Sequence, residues 1–198
     1  MKAKPNSYKY NEIVKTAAII FNQKGYNGTT IQDIADELGI LKGSLYYYIE
    51  SKEKLFLDVL FVAVNTLQDN LNKSLVNIES LSPKEALKRA IESQIQSFQS
   101  CYNETSVFLN EISNLPCEVR KIARPAIKNF ENTWLNIIKL GINNGDFRND
   151  IDLKITVFAI LGMCNWTHKW FDLEGKHSTT EIAEMYTKII LEGLLTQQ

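Results

Sequence analysis

Four prolines and nine glycines are the only strong helix breakers in this 198-residue chain. Between them, apolar residues recur every three or four positions, the period of an α-helix with one buried face. Tyr10, Ile13, Val14, Ala17 and Phe21 make the first such stripe. Gly25 predicts its end, and Tyr26-Asn27-Gly28 a turn. Thr29 or Thr30 then caps a short helix with Ile31, Ile34, Ala35 and Leu38 on one face, closed by Gly39. A second short helix is predicted over 42–49. Ser51 caps the next, where Phe56, Leu60, Ala63, Leu67, Leu71, Leu75 and Ile78 keep helical spacing for about eight turns.

The pattern continues to the end. Ser82-Pro83-Lys84-Glu85 combines an N-cap, a proline at the first helical position and an acid for a capping box. Its helix is predicted to reach about residue 102. A shorter helix over 105–114 stops before Pro116. A long one covers 118–144, with Pro125 kinking it or delaying its start and Gly145 ending it. Asp152 caps an apolar helix to about residue 171, and Ser178-Thr179-Thr180-Glu181 opens the last, to about 195. The expectation is an all-α chain of about nine helices with no strand.

Composition excludes several classes. Hydrophobic residues are 44% and charged residues 23%, as in globular proteins rather than disordered ones. No uncharged apolar run approaches the roughly 18 residues of a membrane span. Residues 1–10 carry lysines without an apolar core and do not read as a secretory leader. Cys101, Cys117 and Cys164 are odd in number and lack a C-x-x-C, which points to reduced thiols in a cytoplasmic protein. With no Ser/His/Asp arrangement, phosphate loop or plausible carboxylate pair, catalysis is not expected, nor is a cofactor. Cys164 and His168 lie one turn apart, but two ligands alone do not make a metal site. Net charge is −1, although residues 1–56 hold eight lysines against six acids, a mildly basic end.

The segment 29–56, TTIQDIADELGILKGSLYYYIESKEKLF, holds two short helices joined by a tight glycine turn, the layout of a helix-turn-helix. Ala35 permits close helix approach, and Leu45 and Ile49 face the core. Lys42, Ser44, Tyr46, Tyr47 and Tyr48 are left to point elsewhere, as groove-reading or half-buried packing residues. Gly28-Thr29-Thr30, Ile34-Ala35, Leu38-Gly39, Lys42-Gly43-Ser44-Leu45-Tyr46-Tyr47-Tyr48 and Ser51-Lys52-Glu53-Lys54-Leu55 closely resemble the DNA-binding domain of TetR/AcrR-family transcriptional regulators. Tyr48 and Ile49 stand where that family often has His and Phe.

The resemblance implies a helix-turn-helix domain over 1–50 and a helical ligand-binding and dimerisation domain over 51–198, beginning with a linking helix over 51–81. It implies double-stranded operator DNA as partner. Thr30, Tyr46 and Lys52 would contact phosphates, while Lys42, Gly43, Ser44 and Tyr47 would lie near bases, with Gln32 at the groove edge. It also implies a homodimer. The helix over 152–171 is apolar all round, one face being Ile155, Ala159, Gly162, Trp166 and Trp170, the other Val157, Leu161, Cys164, His168 and Phe171. With Ile182, Tyr186 and Ile189 of the last helix it would form a four-helix seam.

A ligand pocket is expected among Phe98, Phe108, Asn110, Trp134, Asn165 and Trp166, with Thr167 and His168 as further polar candidates. Residues 162–171 and the Ser178 box look like the branch that includes regulators of fatty-acid and steroid catabolism, which respond to acyl-CoA thioesters. A small apolar ligand, an acyl-CoA in that reading, would release a repressor from its operator. Arg89, Arg120 and Arg124 are phosphate partners for it or solvated surface charges. The competing reading is an architectural or occluding DNA binder of the same fold without an inducer.

Overall fold

The computed structural model describes residues 8–112, 117–172 and 174–194. They form nine α-helices: α1 (Tyr8–Gly28), α2 (Ile31–Glu37), α3 (Lys42–Tyr48), α4 (Lys52–Ser74), α5 (Pro83–Ser100), α6 (Tyr102–Glu111), α7 (Cys117–Asn143), α8 (Leu153–Trp170) and α9 (Thr179–Leu194). A short 3-10 turn, Ile78–Ser80, follows α4. There is no strand among the described residues, so the all-α expectation holds. The predicted helix stop before Pro116 and the expected end near residue 195 lie outside the described residues.

The chain falls into two compact units, whose bounds cut through α4 and α7. The first takes Met1–Asn65 and Cys101–Ala126, the second Thr66–Ser100 and Ile127–Gln198. In the first, the predicted α1 stripe is buried at Ile13, Ala17 and Phe21, as are Ile34, Ala35, Leu45, Leu55 and Phe56 of the following helices. Phe21 meets Phe56 edge-on at 5.2 Å between ring centroids. α6 packs against α1: Asn22 Nδ2 donates to Asn103 Oδ1 (3.1 Å), and the Tyr26 amide donates to Glu111 Oε1 (3.1 Å).

The second unit is built on one apolar cluster from Leu67, Leu71, Leu87, Ile91, Trp134, Ile137, Phe147, Ile160, Cys164 and Ile190, among others. Gly141 is dictated by that packing. A Cβ there would sit 2.1 Å from Phe147 Cδ2, inside the ring's contact surface.

Several helix ends are where the sequence places them. Thr30, Asp152 and Ser178 accept from the amides of Asp33, Ile155 and Glu181. Gly25 and Gly145 break or end their helices. Others differ. α4 stops at Ser74, about six turns long rather than eight. Ser74 Oγ turns back onto the Leu71 carbonyl (2.8 Å), and Asn77 takes a left-handed φ of 62°. The 3-10 turn still presses Ile78 onto the core, so the apolar spacing outlives the helix. α5 ends at Ser100, and α6 starts at Tyr102, three residues before the expected Thr105. α7 starts at Cys117 and runs through Pro125 as one 27-residue helix, so the proline does not delay it.

Candidate functional site

α2 and α3 owe their geometry to a small number of bonds. Thr30 opens α2 with a reciprocal capping box: its Oγ1 accepts from the Asp33 amide (3.1 Å), and its own amide donates to Asp33 Oδ2 (2.7 Å). Lys24 Nζ adds an ion pair to Asp33 at 2.6 Å. The Lys24 and Thr30 bonds hold the Asp33 carboxyl well below the usual carboxylate range. The turn closes through Gly39, whose φ of 64° suits a residue without Cβ, and through the Ile40 amide on the Ala35 carbonyl (3.0 Å). Leu45 and Ile49 are buried and fix the rotation of α3.

That rotation leaves Lys42, Gly43, Ser44, Tyr46 and Tyr47 exposed on one short helix. A Cβ added at Gly43 would meet nothing within 4 Å, so its surface is open to a close-lying partner. Tyr48 is half-buried and stacks edge-on against Tyr47 at 5.3 Å. Gln32 is exposed on α2, its Nε2 donating to Asp36 Oδ1 (2.6 Å). Thr30 is exposed at the start of α2, with its hydroxyl engaged by Asp33.

Lys52 is the exception among the expected DNA contacts. Its Nζ donates to the Tyr26 and Thr29 carbonyls, both at 2.8 Å, and lies 4.3 Å from the Tyr26 ring centroid. These are acceptors at the frayed end of α1, and an ammonium satisfies both. In the free chain Lys52 is thus an internal brace, with two of its ammonium N–H donors engaged. Burial, then the Glu53 charge, pushes the Tyr26 phenol up to about 12, so the ring under the ammonium stays neutral. Leu41 was not among the expected site residues, yet it is 80% exposed beside Lys42.

The expected ligand residues are divided between the two units. Phe98, Trp134 and Asn165 belong to the second unit, Phe108 and Asn110 to the first. Phe98 is buried with its ring 6.3 Å from that of His168. Trp134 is fully buried, and its Nε1 has no partner. Asn165 Oδ1 accepts from the buried Gln94 (2.9 Å). Phe108 is buried, while Asn110 is at the surface of its unit. Trp166 is 65% exposed, so its placement in an interior pocket is corrected. It lies on the outward face of α8 because the opposite face, through Val157, Leu161 and Cys164, meets the core.

None of the six lines either of the two clefts described in the second unit. One, of about 580 Å³, is bounded by Trp170, His177, Ile182, Met185 and Tyr186. The other, of about 610 Å³, lies along Asn70, Lys73, Arg89, Glu92 and Ser97. Arg89 is paired there with Glu85 (2.9 Å). Burial pushes the Cys164 thiol up to about 12 and lowers His168 below its ordinary 6.5, so both are neutral at pH 7. His168 Nδ1 faces the Asn165 carbonyl. Thr167 donates to the Tyr186 hydroxyl (3.3 Å).

The second unit also carries an exposed apolar face. On α8, Ile155 is 71% exposed, and Phe158, Ala159, Gly162, Trp166 and Trp170 are exposed with it. On α9, Met185 and Ile189 are exposed, and Tyr186 is half-buried. Neither Gly162 nor Gly193 would meet an atom within 4 Å if given a Cβ. Ile182, expected in the same seam, is instead 6% exposed within the core cluster and is corrected to a core residue. A monomer rarely leaves so many large apolar side chains together in water.

Two family models match the chain in succession. Residues 13–59 match the family described as bacterial regulatory proteins, tetR family. Residues 80–194 match the tetracyclin repressor-like C-terminal domain. The HTH-type transcriptional repressor KstR2 of Rhodococcus jostii is 26% identical over 190 residues, spanning 95% of this chain and 92% of that protein. The crystal structure of the TetR-family regulator PfmR from Thermus thermophilus superposes with a TM-score of 0.80 at 32% identity, covering 91% of this chain and 97% of that one. AibR in complex with isovaleryl coenzyme A and operator DNA shares the fold, with a TM-score of 0.83 at 24% identity over 91% and 97% of the two chains.

Proposed function

Because the chain belongs to the tetR family of bacterial regulatory proteins, and so is a transcriptional regulator, we propose that it acts as a homodimeric repressor. In this reading a small acyl compound releases it from its operator. The observation that carries the DNA part is the exposed Lys42-Gly43-Ser44-Tyr47 surface of α3, held in place by Leu45 and Ile49. Lys42 donates to a guanine edge, Ser44 and Tyr47 bond to bases or nearby phosphates, and Gly43 lets the backbone approach. Tyr46 and Thr30 contact the phosphate chain, and Gln32 reaches the groove edge.

Two copies would pair through the exposed α8–α9 face, burying Ile155, Ala159, Gly162, Trp166 and Ile189 against their symmetry mates. Such a dimer would carry two α3 helices, one for each half-site of a palindromic operator. The repressor character is supported by likeness to KstR2, a transcriptional repressor. The acyl-CoA class is supported by likeness to AibR, whose complex holds isovaleryl coenzyme A and operator DNA. Within the second unit the reading draws on Phe98, Trp134 and Asn165. The buried Trp134 Nε1 without a partner is a donor that a ligand carbonyl would satisfy.

Selection of bound duplexes from a random-sequence pool tests the proposal. A single enriched palindrome is expected, with release on adding an acyl-CoA. Recovery of unenriched DNA would overturn it.

A further inference from the structure

Five helices of this chain begin on a side chain that accepts from a first-turn amide. Thr30 serves α2, Ser51 serves α4, Ser82 serves α5, Asp152 serves α8 and Ser178 serves α9. α6, begun at Cys101 without such a bond, does not follow them, and neither does α3. Its N-cap is Leu41, with φ −68° and ψ 141°, the extended backbone that Ser, Thr or Asp adopts at this position, and with no side-chain cap. The Leu41 carbonyl accepts from the Ser44 and Leu45 amides, so the backbone role is filled. The side chain is 80% exposed, so little of it is buried in the fold. A seven-residue helix thus forgoes a side-chain cap, a local cost, at a position whose side chain stands mostly in water.

The gain lies outside the molecule. Leu41 precedes Lys42, Gly43 and Ser44, all exposed, and Gly43 has open space above it. In a helix-turn-helix the N-terminal residues of the second helix meet base edges. The apolar feature of the major groove is the thymine C5 methyl, and apolar side chains recognise thymine through it. We propose that Leu41 is a specificity-determining residue that reads a thymine methyl in each half-site, next to the base contacted by Lys42. This rests on the reading of α3 as the major-groove helix.

The test replaces one thymine at a time by deoxyuridine in the enriched operator, which removes a methyl and leaves the pairing edge intact. At one position per half-site, wild-type affinity should fall by about 4-fold, the factor for one buried methyl. Leu41→Ala should bind the thymine operator more weakly by at least that factor and be indifferent to deoxyuridine. Leu41→Ser restores a cap, so it should melt no lower than wild type and still lose the discrimination. That variant separates the contact from folding. Wild-type protein indifferent to every thymine-to-deoxyuridine change would overturn the proposal, as would Leu41→Ala that still discriminates. Wild-type protein that does not tell the operator from a scrambled duplex would overturn the DNA reading itself, and the methyl contact with it.

Discussion

Two lysines ten residues apart divide the work at the start of this chain. Lys42 is exposed on α3, whereas Lys52 is tied to the Tyr26 and Thr29 carbonyls. Lys42→Ala should weaken operator binding by about 1–3 kcal/mol and relax preference at one base position, read by titration against single-base operator variants. Lys52→Ala should instead lower stability by about 1.5–3 kcal/mol, the scale of a hydrogen bond involving a charged group. Its salt dependence of DNA binding should match wild type, because no phosphate contact is lost. Urea titration and binding at several salt concentrations check both; a shallower salt slope would return Lys52 to the DNA. The sequence could not separate the two, since the carbonyls that hold Lys52 lie 23 and 26 positions away and carry no residue signature. Leu41 went unnoticed because an apolar residue in a turn carries no sign in the sequence that it is exposed. His168 gives a pH prediction. Burial holds its folded pKa below 6.5, so the unfolded chain takes up a proton first as pH falls. Its contribution to stability is complete above about 6.5 and is lost as pH drops toward the folded value. Melting between pH 7 and 5 should show that loss, and His168→Gln should flatten it.

Helix starts were legible where a polar side chain caps, as at Thr30, Asp152 and Ser178, because that bond is local in sequence. The end of α4 and the α5–α6 break were not. The first hides under continuing apolar spacing at Leu75 and Ile78, and the second falls at Cys101, where neither glycine nor proline marks it. For α8 the two-faced pattern was readable, and its outward half is exposed as expected. Which residues of α9 join that face was less so: Ile182 and Ile189 look alike in sequence, yet only Ile189 is exposed. Gly162 offers a clean test of the seam. A Cβ there has nothing within 4 Å outside its own helix backbone, and leaving glycine favours the helix by up to about 1 kcal/mol. Gly162→Glu should therefore keep its melting temperature as a subunit while losing the dimer, since an unpaired charge in a dry interface is costly. Light scattering at micromolar concentration reads the outcome; an intact dimer would place Gly162 outside the interface.

Across the whole molecule, a ligand that favours the non-binding state by about 2.7 kcal/mol would cut operator affinity on the order of 100-fold. Gel shifts with acyl-CoAs of rising chain length should show release that depends on length. Release indifferent to it would remove the acyl chain from the recognition, while leaving the DNA surface untouched. Family membership and the all-α class were readable from motifs and periodicity, but the assembly of the units was not. Helical spacing reports which face is buried, never against which distant segment, so α6 gave no sign that it packs on α1. That packing has a consequence for heredity as well as engineering. The backbone passes between the two units after Asn65, Ser100 and Ala126. A single crossover between genes of this kind cannot exchange one reader head for another intact. A graft ending at residue 65 would inherit α1 with Asn22 and Tyr26 facing a stranger's α6. Viable recombinants must carry the segment 101–126 along with the head, so two distant stretches of the gene are bound to travel together.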